Sequence, residues 1–562
     1  NNGGEVGGEL ILARESLPLW MGAFHVAPTA DVALLSGEPL TSTEWTADAA
    51  ENGDMGLTPP ASLLSQWLRF YGPRSRTAFG RLLGMAPDRL QPILDELTEA
   101  RLVVDGPLLQ PGQSDDVCDR ENFEILLRVA RRQAAPTFET LTAERLPLFL
   151  ARFQGLTRPG RDTDDLVRCM DRLLAWPASA GLWETDLLPA RLAGYRPEFL
   201  DRLMQERDLH WLGEPGHKVL FCYENELDLI IADDPAPPEQ EPPGDADGCT
   251  GLFPDASGRY PFSVLERGSK LDATELNRRL WSAVWQGRVS NDTFSALRRG
   301  IASRFEIPPA AQPGRGASGR SLAARRTGRS AFQRRRAARP GIGNWYMVPY
   351  PSVSDDPIDA QERNKDRVRL LLDRYGIVFR ELLARERPML QWRSLFRTLR
   401  VMELSGEVQA GYFFQGIQGL QFVSTRAFNL LRRDLPLDAV YWLNALDPVS
   451  PCGLGLEALQ PDLPRRLPGC HLVYHGKNLV VVSRQQGRRL DIHVPADHPR
   501  LADYLAFLQY LLTRTVRPLQ SLRVETINQL PAVDQTAYLA VLERLFEVVR
   551  DPKGVSLYQR HQ

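Results

Sequence analysis

The chain has 562 residues, with 68 lysines and arginines against 70 aspartates and glutamates, so its formal net charge is −2. Hydrophobic residues make up 43% of the sequence and charged residues 25%, which is ordinary globular usage and excludes wholesale disorder. The near balance of charge excludes a uniformly basic nucleic-acid binder, so any such binding must come from a local patch. At roughly 150 residues per domain, the length predicts several compact units.

The sequence gives no sign of membrane insertion or secretion. No apolar run reaches the ~18 residues of a membrane-spanning helix, so we expect no membrane partner. The 6 cysteines are dispersed without a C-x-x-C pair, which favours a reducing cytoplasm and argues against structural zinc. The first residues lack an initiating Met and a signal-peptide layout, and we expect the chain to begin inside a longer polypeptide.

The first clear unit follows a lead-in segment at residues 1–60 and covers residues 61–112. An apolar stripe from Leu63 to Phe70 predicts a helix, which Gly72-Pro73 ends. A short second helix reaches Leu83, and Pro87 opens a third. A strand and the turn at Asp105-Gly106 come next. Three helices followed by a hairpin are typical of a winged helix.

The same order of elements returns along the chain. It predicts winged helices at residues 260–304 and 343–433, and a helical or winged-helix-like domain at residues 113–230. Residues 434–562 differ, because they contain a hairpin, a third strand and two helices. The predicted fold class is therefore α+β: tandem winged-helix modules followed by a small β-barrel-like α+β terminal domain.

Two segments stand out by composition. Residues 231–259 are acidic and rich in proline, which predicts an extended linker. Residues 305–342 form an arginine-rich arm without any acid between Arg315 and Arg339. Such an arm either tracks nucleic-acid phosphates or is a solvated loop that binds nothing specific. Its predicted nucleic-acid-binding residues are Arg315, Arg320, Arg325, Arg326, Arg329, Arg334, Arg335, Arg336 and Arg339.

Further binding candidates lie outside the arm. Arg393, Arg397 and Arg400 recur at near-helical spacing in the last predicted helix of the 343–433 module. Trp345 follows the arm and is the aromatic that we expect to stack on an unpaired base. His471 and His475 have a spacing that would suit a metal on a helix, but they lie in a predicted strand and turn, so a surface hairpin is the favoured interpretation and no metal site is expected.

Several strings resemble the C-terminal part of the bacterial large helicase-related (Lhr) family. They cover about residues 60–480 and are specific as a set. The strings are Trp67 to Pro73, Trp183-Glu184 through Arg191 to Asp201, Val289 to Phe294 with Leu297-Arg298, Gly411 to Gly416 with Gln421-Phe422, and Asp447-Pro448 with Pro451 and Gly453.

This resemblance implies the winged-helix extension of an ATP-driven DNA helicase that acts in DNA repair, linked in the family to uracil excision and to oligomer formation. The chain has no phosphate-binding loop of the G-x-x-x-x-G-K-[ST] type. ATP and Mg²⁺ are therefore expected only in an upstream motor, and no cofactor in this segment. The implied partners are single-stranded or tailed duplex DNA, that motor, and a second copy of the chain.

Three functions stay open at this point. The first is a DNA-binding accessory region of the helicase, and the second is a glycosylase module for uracil or a damaged base. The third is a non-catalytic scaffold for oligomers or partner proteins. A glycosylase needs a carboxylate beside the sugar and groups that read a base edge. The candidate acids are Asp447, Asp292 and Asp551, and the base-reading candidates are Asn291 and Gln421.

Overall fold

The computed structural model describes residues 57–83, 85–109, 116–134, 138–230, 250–306, 342–351, 356–459 and 463–560. The chain divides into two compact units, Asn1–Thr137 and Phe138–Gln562. The predicted arginine positions of the arm, from Arg315 to Arg339, lie outside the described residues, as does most of the acidic linker.

The first unit has the predicted order of helices and hairpin. Its elements are α1 (Pro59–Leu68), β1 (Arg74–Ser75), α2 (Arg76–Leu83), α3 (Pro87–Glu99), β2 (Val103–Gly106), β3 (Asp116–Asp119) and α4 (Arg120–Ala134). The strands form one sheet in the order β1-β3-β2, and Leu64, Leu68 and Leu94 pack in the core beneath it. The predicted end of this module, residue 112, falls between β2 and β3, so the sheet continues beyond the predicted boundary.

The second unit contains the remaining helices and strands. Its helices are α5 (Leu146–Phe153), α6 (Thr163–Asp171), α7 (Leu188–Arg191), α8 (Pro197–Glu206), α9 (Phe262–Ser269), α10 (Ala273–Trp285), α11 (Phe294–Ser303), α12 (Pro357–Tyr375), α13 (Arg380–Leu383), α14 (Trp392–Ser405), α15 (Thr425–Leu431), α16 (Leu501–Thr513) and α17 (Thr536–Leu545). Its strands are β4 (Ala178–Ser179), β5 (Leu209–Glu214), β6 (Lys218–Tyr223), β7 (Tyr260–Pro261), β8 (Val289–Asn291), β9 (Asn344–Met347), β10 (Ile377–Val378), β11 (Val408–Gly411), β12 (Gln421–Ser424), β13 (Val440–Asn444), β14 (His471–His475), β15 (Asn478–Arg484), β16 (Arg489–Ile492), β17 (Leu522–Val524), β18 (Thr526–Ile527), β19 (Leu530–Pro531), β20 (Glu547–Asp551) and β21 (Gly554–Tyr558).

One sheet arrangement recurs in the second unit. In each case the last strand in sequence lies between the other two, in the orders β4-β6-β5, β7-β9-β8, β10-β12-β11 and β17-β21-β20. In the third of these sheets Val423 on β12 pairs antiparallel with Ile377 on one side and with Gln409 on the other. A short strand before the second helix and a hairpin after the third give this order, so the α+β class and the tandem winged helices are confirmed.

Trp345 belongs to the core of the module that contains β7, β8 and β9. Strand β9 lies beyond the arginine arm in sequence, and there Trp345 pairs with Asn291 of β8. The Trp345 side chain is 0% exposed, and its ring meets that of Trp281 edge-on with 5.2 Å between centroids. Base stacking needs an accessible ring face. The structure therefore corrects the predicted role of Trp345 from base stacking to core packing.

The terminal region contains an open sheet, so the predicted β-barrel is not confirmed. Its six strands run in the order β13-β14-β15-β16-β18-β19, and within the described residues β13 and β19 are edges that do not pair with each other. Pro531 lies on the edge strand β19, where its missing N–H costs no ladder hydrogen bond. Helix α16 covers the sheet through Leu505 and Leu508.

Arg298 forms ion pairs that link two modules of the second unit. The Nε and Nη2 atoms of Arg298, on α11, donate to the carboxylate of Glu184 at 2.7 and 2.8 Å. Its Nη1 donates to both oxygens of Asp201 at 2.8 and 2.7 Å. Charge-assisted bonds of this bidentate kind fix geometry strongly. They hold the 260–347 module in a set orientation against the helices that precede it.

Candidate nucleic-acid interface

A cleft of about 700 Å³ in the second unit is lined by 7 arginines and a single carboxylate, that of Asp165. The arginines are Arg152, Arg158, Arg168, Arg172, Arg191, Arg426 and Arg433. We call this feature the arginine cleft. Arg168 is neutralised by Asp165, with 2.6 Å between Nη2 and Oδ1, and Arg191 by Asp447. The other arginines form no ion pair within the described part of the chain.

The cleft forms where two winged-helix modules meet. Helix α5 supplies Arg152 and Phe153, and Arg172 directly follows α6. Helix α15, from the later module, supplies Arg426. The guanidinium carbons of Arg172 and Arg426 lie 5.9 and 5.5 Å from the centre of the Phe153 ring. Contact with the aromatic ring orients both guanidinium groups. A flexible arginine on the open surface would lack this contact.

Arginines with like charge lie close together in the arginine cleft. Burial lowers the pKa of Arg172, and the neighbouring charge of Arg426 lowers it further. Burial and the charge of Arg158 lower the pKa of Arg152 in the same way. The nearby Asp373 acts in the opposite direction on Arg172, but the pKa of Arg172 is still lowered. Arginine keeps its proton at neutral pH, so a bound anion would relieve the repulsion.

The predicted arginines of α14 lie in a different place. This is the third helix of its winged helix, the usual groove-reading element. Arg393 and Arg397 are exposed, and the side chain of Phe396 between them is 38% exposed. Arg400 is half-buried and pairs with Glu403, with 2.7 Å between Nη1 and Oε2. Two of the three predicted arginines thus remain accessible on one helix.

The predicted base-reading amides are committed to backbone contacts. Gln421 is fully buried, and its Oε1 accepts from the amides of Phe413 and Phe414 at 3.0 and 2.9 Å. Asn291 is also fully buried, and its Oδ1 accepts from the amide and hydroxyl of Thr293 at 3.0 and 2.9 Å. Neither side chain presents an edge to solvent. The structure therefore corrects both from base reading to holding turns of the backbone.

The predicted catalytic acids lie far from one another in sequence and have separate partners. Asp447 is fully buried and accepts from Nη1 and Nη2 of Arg191 at 2.7 and 2.8 Å. Asp292 accepts from the amide and the side chain of Asn344 at 2.7 and 2.8 Å. Asp551 is 38% exposed in the β20–β21 turn and pairs with Arg523 at 3.0 Å. Each of the three acids is therefore held by other groups of the described chain, and a catalytic role for any of them stays a prediction.

A carboxylate–histidine pair that the sequence analysis did not single out lies in the same unit. Nε2 of His471, on β14, lies 2.6 Å from Oδ1 of Asp186. Both residues are buried, at 2% and 5% exposure, so His471 does not lie on a surface hairpin as predicted. Burial would raise the pKa of Asp186, but the hydrogen bond and charge of His471 outweigh it and hold that pKa below its ordinary value. The Asp186 carboxylate is therefore ionised.

The described residues show neither a membrane-spanning helix nor a cluster of metal-ligating side chains. None of the helices there is long and apolar enough to cross a bilayer. Within the same ranges, no three or more His, Cys, Asp or Glu side chains come together as a metal site.

Family models and curated relatives give a consistent picture. The winged-helix domain models of the large helicase-related protein match residues 141–223 and 357–442. The "Lhr helicase/uracil glycosylase" of Escherichia coli is 26% identical over 76% of this chain and 29% of the relative. The "Lhr helicase/ probable uracil glycosylase" of Mycolicibacterium smegmatis is 25% identical over 93% of this chain and 35% of the relative. The chain thus spans about a third of the length of these relatives.

Among solved structures, the DNA glycosylase AlkZ of Streptomyces sahachiroi is similar to this chain with a TM-score of 0.34 and 14% identity, over 66% of this chain and 97% of that chain. The two residue ranges that the winged-helix domain models match contain α5, α6 and α15, the helices that line the arginine cleft. From the two domain models and the two relatives together, residues 141–223 and 357–442 are winged-helix domains of the large helicase-related (Lhr) type, and most of the chain is similar to the corresponding part of Lhr proteins.

Proposed function

We propose that this chain binds DNA and holds its backbone phosphates in the arginine cleft, as the accessory region of an Lhr-type DNA-repair helicase. The observation that carries the proposal is a cleft with 7 arginines and one carboxylate in a chain whose net charge is −2. ATP and Mg²⁺ would then serve a motor elsewhere in the protein. Assembly with that motor or with a second copy belongs to the same proposal.

The geometry favours a phosphodiester chain over a small metabolite. Arginine presents a planar fork of donors that matches phosphate oxygens. Several arginines without an ion pair in the described residues line one cleft of about 700 Å³, which suits more than one phosphate group. On α14, Arg393 and Arg397 flank the partly exposed Phe396 and provide a second contact for backbone and bases.

Salt dependence is the direct test of this proposal. Each phosphate contact releases counterions, so the logarithm of the affinity should fall with that of the salt concentration by about 0.9 per contact on duplex DNA and about 0.7 on single strands. If all the cleft arginines that have no ion pair in the described residues contact phosphates, we expect a slope steeper than about −3. Fluorescence anisotropy with tailed duplex between roughly 50 and 200 mM salt measures it. Affinity that does not respond to salt would refute phosphate binding in the cleft.

A second candidate function is removal of uracil from DNA. The observation in its favour is that both curated relatives carry uracil glycosylase in their names. Such an enzyme must extrude the base from the stack into a pocket, and extrusion is least costly on single-stranded or mismatched substrate.

Incubation with a uracil-containing oligonucleotide, without ATP, tests this second function. We expect strand cleavage after alkali treatment, because the product is an abasic site, and faster reaction on single strands than on matched duplex. A thymine-containing oligonucleotide of the same sequence is the control. If the uracil strand stays intact at enzyme excess, base excision is not an activity of this chain, whereas the DNA-binding proposal would stand.

A further inference from the structure

The arginine cleft has a buried floor beneath an exposed rim. Gln154, Cys169 and Arg191 line the cleft although they are only 1%, 5% and 3% exposed, so they form its floor. Arg158 and Arg433 line it as exposed residues and belong to its rim. The volume of about 700 Å³ lies in the range of small-molecule clefts. A ligand that fills such a cleft must be narrow, as one nucleic-acid strand is and a double helix is not.

The floor is held in place by its own hydrogen bonds. Nε of Arg191 donates to Oε1 of Gln154 at 2.8 Å, and Nη1 of Arg191 pairs with Asp447 at 2.7 Å. Nε2 of Gln154 donates to the backbone carbonyl of Arg172 at 3.2 Å. The charge of Arg191 is thus already neutralised, and the cations that remain to hold a ligand are those above the floor.

Arg172 lies above this floor without a partner for its charge. The residue is half-buried, and its guanidinium group forms no hydrogen bond or ion pair in the described part of the chain. It contacts the ring of Phe153, and its Nη1 lies 3.5 Å from the place that a Cβ on Gly155 would occupy. Arg426, from the later module, reaches the same ring. Because charges that are buried or half-buried in native proteins are normally paired, we expect an anion to bind beside these two guanidinium groups.

A phosphate at the end of a strand differs chemically from a phosphate inside it. The terminal group is a monoester with a second pKa of about 6, so at neutral pH it carries about two negative charges and three free oxygens. An internal phosphate is a diester that carries a single charge. Two guanidinium groups offer planar forks of donors that match the additional charge and oxygen. Thr425 and Asn429, on α15, line the same cleft and provide neutral donors.

We infer that the arginine cleft receives the phosphorylated end of a single DNA strand, with the terminal phosphate held by Arg172 and Arg426. The phosphates that follow would then pass the exposed arginines of the rim. This inference rests on the proposed DNA binding and narrows it from any phosphodiester chain to strand ends. A 5′-phosphate and a 3′-phosphate share this chemistry, and the experiment distinguishes them.

The test compares single strands that differ only at their ends. Fluorescence anisotropy of the whole chain is measured at one salt concentration with strands that carry a phosphate at the 5′ end, at the 3′ end or at neither, each with an internal label. A hydroxyl-ended strand that is one nucleotide longer has the same number of phosphates and is the control for their count. We expect at least one phosphorylated end to bind about tenfold more tightly than this control, since a hydrogen bond to a charged group contributes at least about this factor.

The variant Arg172→Gln should remove the preference for the phosphorylated end, whereas Arg369→Gln, outside the cleft, should keep it. The inference would be overturned if a closed circular strand of the same sequence, which has no end, bound as tightly as the phosphorylated linear strand. It would also be overturned if a phosphate at neither end changed the affinity, or if the Arg172→Gln protein kept the preference. In each of these cases salt-dependent binding would leave the DNA-binding proposal intact, while a chain that bound none of the strands would refute both.

Discussion

The double variant Arg172→Gln/Arg426→Gln is expected to bind tailed duplex DNA at least about tenfold more weakly than the wild-type chain. A hydrogen bond to a charged group contributes about 1.5–3 kcal/mol, so two lost phosphate contacts would give at least this decrease. Both guanidinium groups lie against the Phe153 ring, and no ion pair holds either one within the described residues. Glutamine keeps a polar side chain of similar reach but removes the charge.

The salt slope separates a phosphate contact from a folding defect. Loss of two contacts should reduce its magnitude by about 0.9 each on duplex DNA, whereas partial unfolding would reduce the active fraction and leave the slope unchanged. The matched control is Arg369→Gln on α12. Arg369 is already neutralised by Glu407 and Asp366, each at 2.6 Å, and it does not line the cleft. The phosphate-binding role of the cleft would be wrong if the double variant and this control had the same slope.

The local elements of this fold were readable in the sequence. The last helix predicted in the 343–433 module is present as α14, and it ends at Ser405 because Gly406 adopts a positive φ of 82°. Residues 434–562 were predicted to contain a hairpin, a third strand and two helices, but after α17 ends at Leu545 the residues from Glu547 onward form the further strands β20 and β21. Apolar periodicity does not separate a helix from a following buried strand.

Sheet closure and strand membership depend on contacts between distant residues, and these were not readable. Strand β9 joins β7 and β8 although the whole arginine arm intervenes. Trp345 therefore appeared to continue a basic, DNA-facing segment, whereas the sheet places it in the core. Likewise β16 pairs with β18 in parallel, which opens the terminal sheet to β19 instead of closing it into a barrel.

The candidate sites were missed for the same reason. Composition identifies charges that are dense in sequence, as in the arginine arm, but Arg152 and Arg433 reach the same cleft from modules far apart along the chain. Asp186 and His471 are separated by 285 residues. A usable signal was that Trp183 to Asp201 and Asp447-Pro448 both carried the resemblance to the family, because Arg191 and Asp447, which pair directly, lie in those two strings.

The Arg191–Asp447 pair gives the largest expected effect on stability. Each side chain is 1% exposed, and the pair joins α7 to the loop after β13. Either Arg191→Met or Asp447→Leu alone should lower the free energy of unfolding by about 3–5 kcal/mol, because each leaves an uncompensated buried charge. Chemical unfolding followed by tryptophan fluorescence measures the change. Asp551→Asn, at a half-exposed turn, is the control and should change it by less than about 0.5 kcal/mol.

The double variant Arg191→Met/Asp447→Leu then distinguishes a structural from a catalytic role for Asp447. Replacing both charges by apolar side chains of similar size removes the desolvation cost together with the attraction, so most of the lost stability should return. If Asp447 only holds the modules together, whatever uracil excision the wild-type chain shows should return in the double variant together with the stability. A double variant that regains stability but excises no uracil would show instead that the carboxylate of Asp447 acts on the substrate, as the sequence pattern suggested. Since Asp447 directs both oxygens at Arg191, we expect activity to follow stability.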